Sequence, residues 1–122
     1  MIRPVFLVVL LCPASPVSAQ SEAGFAAANA QADQQGSSEA TAAYAKSWAQ
    51  FNNQHRLDER DGCYFMADGE LTQILQIDKT GKVVAYFADK DNGRSRCWRN
   101  TYMGVEFPQP PFAPYWHRLV MH

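Results

Sequence analysis

Cys63 and Cys97 are the residues whose type and setting commit them most firmly to chemistry. The chain holds three cysteines; the third, Cys12, belongs to an N-terminal segment that reads as a removable export signal. A pair left in a chain bound for an oxidising compartment is expected to be a disulfide, and with both sulfurs bonded no thiol nucleophile remains. The three histidines, His55, His117 and His122, lack the pattern of a metal set: His117 and His122 fall five apart on a terminal strand, on opposite faces. Ser95 has no G-x-S-x-G setting. Asp58, Glu59, Asp61, Asp68 and Glu70 form an acid-rich stretch. Cys63-Tyr64-Phe65-Met66 fills its middle, where a calcium loop needs ligands and an interior glycine, so these acids read as solvated turns. A paired-carboxylate hydrolase needs a cleft that a chain this small hardly provides. Arg94, Arg96 and Arg99 gather on one predicted helix and read as a solvated face, with a patch for an acidic partner as the alternative. The residue types predict no catalytic set, no metal and no cofactor, and place function in a surface.

Residues 1–19 have the three parts of a secretory signal: Arg3 near the start, the apolar run Val5–Leu11, and the small-residue end Val17-Ser18-Ala19. The apolar run is too short to span a membrane, which takes about 20 residues, and Pro13 and Pro16 end it early. Lipidation of Cys12 is disfavoured by the bulky Leu10-Leu11 before it. Cleavage after Ala19 leaves Gln20–His122, one small domain expected to be periplasmic or secreted and without a membrane span. Of the charged residues only Arg3 leaves with the signal, so the product carries a net charge of −2. That balance argues against nucleic acid as a partner, which wants a basic excess.

The elements that position these residues follow from periodicity. Residues 20–38, rich in Ala, Gln, Ser and Gly with Phe25 the lone large apolar residue, are predicted to be a flexible lead. The single domain is 39–122. Glu39–Phe51 is helix material, with Tyr44, Trp48 and Phe51 at i, i+4 and i+7 on a core face and Leu57 packing beyond it. After the charged break Asp58–Gly62, Cys63–Ala67 reads as a strand, joined through an Asp68-Gly69 hairpin turn to a strand Leu71–Ile77. Asp78-Lys79-Thr80-Gly81 turns the chain into a strand Lys82–Ala88, with Val83, Ala85 and Phe87 on one face and Val84 and Tyr86 on the other. Asp89–Gly93 caps a helix from Arg94 to Met103, stopped by Gly104. Four prolines in Pro108–Pro114 form a stiff elbow, carrying Phe107 and Phe112 onto the core. Tyr115–Met121 is the last strand, alternating with Trp116, Arg118 and Val120 on its second face. The fold class is α+β: a small antiparallel sheet, made of a three-strand meander plus a C-terminal strand, packed by two helices in the order α-β-β-β-α-β, with one disulfide.

From about residue 40 to the end the chain resembles the C-terminal domain of TolA- and TonB-type envelope proteins, TolA more closely. The matching features are Cys63 opening the strand region, the strand running into Asp78-x-x-Gly81-Lys82, Cys97 on the next helix, the Phe107-Pro108-Gln109-Pro110-Pro111 element and a closing strand. The chain departs from that family in the wider separation of its cysteines and in the strand after Cys63. It shows no counterpart of the membrane helix and long rod of the energy-coupling members, so energy transduction is not expected. The resemblance implies noncatalytic binding, often at a sheet edge that accepts a partner's strand.

Two functions follow as expectations. The first is an exported protein-binding or scaffold domain of the bacterial envelope. It would act through the last strand, with Tyr115, Trp116, Arg118 and Val120 as the partner-binding residues, because the proline elbow delivers that strand to the sheet from outside the meander. The alternative is a secreted inhibitor or immunity protein that blocks an envelope hydrolase or toxin, using the Pro-rich loop or the acidic turn as its plug.

Overall fold

A computed structural model describes residues 4–5 and 17–122. Cys12 and most of the predicted signal over residues 1–19 lie outside the described residues. The elements are α1 (Val17–Gln35), α2 (Glu39–His55), a 3-10 turn (Cys63–Phe65), β1 (Leu71–Ile77), β2 (Val83–Ala88), α3 (Gly93–Tyr102) and β3 (Tyr115–Met121). The strands form one antiparallel sheet in the order β2-β1-β3, and the fold is α+β. The expected pair Cys63–Cys97 is bonded, with Cα atoms 5.4 Å apart.

Both core helices carry local start signals. Ser38 caps α2, its hydroxyl accepting from the Thr41 N–H while Thr41 Oγ1 accepts from the Ser38 N–H. Asn92 and Ser95 form the same reciprocal box on α3; each box satisfies two otherwise orphaned groups. One sheet face presents Leu71, Leu75 and Ile77 to these helices. Trp48 of α2 is the hub, its ring stacked on Phe107 at 4.6 Å and on His117 at 4.0 Å. Phe107 is buried as expected, whereas Phe112 remains 42% exposed.

Three expectations need correction. The stretch 20–38 is not a flexible lead: α1 runs to Gln35 and lies on the opposite face of the sheet, touching all three strands. Its apolar residues are nearly all alanine, so it shows no amphipathic stripe, yet the small side chains let its backbone come close to the sheet. Ala28 is buried, and a Cβ on Gly24 would meet the Phe87 ring at 3.4 Å. With α1 in place Ile74 is fully buried although it points away from α2 and α3. Helices therefore cover both faces of the sheet.

Second, Cys63–Ala67 is not a strand. Gly62, at φ 67°, opens a 3-10 turn closed by Met66 N–H to Cys63 O. An apolar run alone does not separate a strand from an exposed turn; this one has no neighbour to pair with, so the meander has two strands. Third, β2 does not alternate strictly. Gln76 faces Ala85 but Ile77 faces Val83, so the bulge at Val84 puts Val83 and Tyr86 into the same core and leaves Val84 exposed.

Candidate partner-binding edge

The sheet has two outer strands, of which β2 is covered at its start alone, with Tyr86 and Ala88 turned outward and finding no backbone partner beyond the sheet among the described residues. The start of β2 is covered by the segment after α3: Val83 N–H bonds to Val105 O, Gly104 N–H to Val83 O and Phe107 N–H to Gly81 O. Gly81 is required there, since at φ +95° a Cβ would lie 1.9 Å from Phe107 O. Among the described residues β3 pairs only with β1, over the register Leu71↔Met121 to Ile77↔Tyr115.

The outward side of β3 is marked by Trp116. Its N–H donates to Gln35 Oε1 at 2.8 Å and its carbonyl accepts from Gln35 Nε2 at 3.0 Å. The carboxamide at the end of α1 thus satisfies this residue as a neighbouring strand would. In an antiparallel ladder the outward groups recur every second residue, so Arg118 and Val120 also present N–H and C=O outward. Among the described residues their backbone groups find no backbone partner beyond the sheet. The open edge is therefore short and polar in backbone character.

The predicted binding residues divide along this strand. Tyr115 cannot serve as a contact side chain: it is buried against α2, edge-on to Tyr44 at 4.5 Å with its hydroxyl donating to Thr41 O, and burial raises its phenol pKa. Trp116 is half-buried beside Phe87. The Arg118 guanidinium is held by α1, through Asn29 Oδ1 at 2.6 Å and Asp33 Oδ1 at 2.7 Å. Val120 is 46% exposed. Gln35 and Asn29 were missed from sequence, because an amide side chain aimed at a strand edge has no periodicity or motif to betray it.

The other candidate residues are occupied structurally. His117 is in the core, where burial lowers its pKa from 6.5 to about 4, so it is neutral at physiological pH. His55 bonds to Phe51 O in its own helix and His122 faces Glu70 at 3.1 Å. Ser95 is spent on its cap. Among the described residues no group of three His, Cys, Asp or Glu stands close enough to hold a metal ion, and no helix is long and apolar enough to cross a membrane. The three arginines of α3 do not make one solvated face or patch. Arg94 is buried, donating to the carbonyls of Gly69 and His122; Arg96 pairs with Asp91 at 3.1 Å; Arg99 lies over the Tyr86 ring. Burial of Arg94 beneath aromatic rings is the part a charge count cannot show.

Comparison with known protein families, curated proteins and solved structures finds no match to this chain.

Proposed function

We propose that this protein is an exported, noncatalytic protein-binding domain of the bacterial envelope, of the TolA/TonB C-terminal kind, that takes an extended segment of its partner along β3. The observation that carries the reading is the open run of backbone groups at Arg118 and Val120. A partner strand placed there makes four backbone hydrogen bonds, each contributing about 0.5–1.5 kcal/mol net. Displacing the Gln35 carboxamide opens a further pair at Trp116. The exposed Val120 side chain and the Arg118 guanidinium, whose Asp33 ion pair lies at the surface, supply the sequence preference that backbone pairing lacks.

The test is capture of envelope proteins by the chain from a periplasmic extract, compared with Arg118→Pro and Val120→Pro. Each proline removes one outward donor. Both variants are expected to lose the captured protein while circular dichroism stays native. Undiminished capture by a folded variant would overturn the edge reading.

A further inference from the structure

We propose that the Tyr64–Met66 turn is a second protein-binding surface, an aromatic knob for a partner pocket that is apolar at its base and rimmed by Lys or Arg. It does not depend on the β3 reading. Phe65 is 94% exposed and Met66 55%, on a turn that is otherwise firmly held. Cys63 ties its start to Cys97 on α3. The Tyr64 ring stands edge-on to Trp98 at 4.8 Å, the buried Arg94 guanidinium lies 5.6 Å from its centroid, and its hydroxyl donates to Met121 Sδ at 3.5 Å. Behind Met66 the chain fits closely against Gly93, where a Cβ would come within 2.9 Å of Met66 O. A large apolar side chain pushed into water by a rigid mount loses little conformational freedom on docking, which is the condition for a binding hot spot.

The partner's chemistry follows from charge. Residues 58–70 carry Asp58, Glu59, Asp61, Asp68 and Glu70 against Arg60 alone. Burial chiefly raises the Tyr64 phenol pKa; the charges of Asp58 and Glu59 add to the rise and that of Arg94 opposes it, so the acids lie close enough to act on the turn. The neighbouring cations are fewer than the acids: Arg60 faces Asp61 at 3.8 Å and Arg96 pairs with Asp91, while Lys90 and Arg94 donate to neutral carbonyls and keep their charge, Arg94 beneath the turn. An excess of acids in the segments flanking an apolar tip disfavours anionic lipid and nucleic acid and favours a cationic rim.

The test is a photo-crosslinker in place of the side chain, Phe65→p-benzoylphenylalanine, in the full chain expressed and irradiated in the cells that export it. The same substitution at the exposed Met103, outside both proposed surfaces, controls for expression. The expected result is a protein adduct at position 65 that maps to an apolar segment bordered by Lys or Arg, and that persists in the Arg118→Pro background. With that partner purified, Phe65→Ala should weaken binding about 30-fold at unchanged melting temperature, since the ring touches so little of the fold. Asp58→Asn with Glu59→Gln should slow association and flatten its salt dependence. No protein adduct at 65, an adduct to lipid alone, an adduct on an acidic segment, or full affinity of Phe65→Ala would each overturn the proposal.

Discussion

His117 should make this fold acid-labile in a defined window. Its ring lies in the core against Trp48 and Tyr115, and burial holds its pKa at about 4 against 6.5 in the unfolded chain. Between those values the unfolded chain takes up a proton that the folded one refuses. The stability associated with the neutral ring is therefore complete above pH 6.5 and drains away as pH falls towards 4. Each pH unit in the window is worth about 1.4 kcal/mol, giving about 2 kcal/mol by pH 5 and about 3 kcal/mol in all. For a domain of this size the loss at pH 5 corresponds to roughly 8–16 °C in melting temperature. The assay is thermal or urea unfolding from pH 7.5 to 4.5, comparing the native chain with His117→Phe, which keeps an aromatic ring against Trp48 but cannot titrate. The two profiles should diverge below pH 6.5, the variant staying flatter. Parallel profiles from pH 7 to 5 would refute the reasoning. Asp78, whose carboxyl is held below its usual range chiefly by the Thr80 hydroxyl, loses its contribution only at lower pH and does not confuse the window.

Three further outcomes follow from the packing. Reducing Cys63–Cys97, which are separated by 34 positions, should lower stability by about 4 kcal/mol on the chain-entropy account; urea unfolding with and without reductant measures it, and unchanged stability would contradict it. Gly81→Ala should be destabilised by at least about 2 kcal/mol, because the left-handed backbone and the Phe107 carbonyl both exclude a Cβ; a melting scan decides. Gln35→Ala should remove two hydrogen bonds to Trp116, contributing about 1 kcal/mol each, and hydrogen exchange should then quicken at the Trp116 amide while β1 amides stay protected.

What the sequence made legible was whatever has a period or a local signal. The Tyr44-Trp48-Phe51 stripe, the capping stretch Asp89–Gly93, from which Asn92 supplies the cap, the Asp78–Gly81 turn and the alternation of β3 each follow from a few consecutive residues, and all take their expected places. The hidden parts depend on what lies across the fold. α1 docks through alanine, glycine and amide side chains, a surface indistinguishable from a linker until a sheet is laid beneath it. The bulge at Val84 is set by register with Gln76 and Ile77, and Arg94 is buried only because Tyr64 and Trp98 close over it. The candidate edge was half legible: the proline elbow pointed to β3 as an outer strand, but the burial of Tyr115 under α2 and the hold of α1 on Trp116 and Arg118 come from tertiary contact.

The central claim is that function resides in the backbone edge of β3, and residue-resolved hydrogen exchange of the chain with and without its captured envelope partner tests it most directly. Strand addition predicts new protection of the Arg118 and Val120 amides, the outward donors of that strand, with little change at the inward His117 and Leu119. Protection confined to other surfaces, with Arg118 and Val120 exchanging as in the free chain, would contradict it.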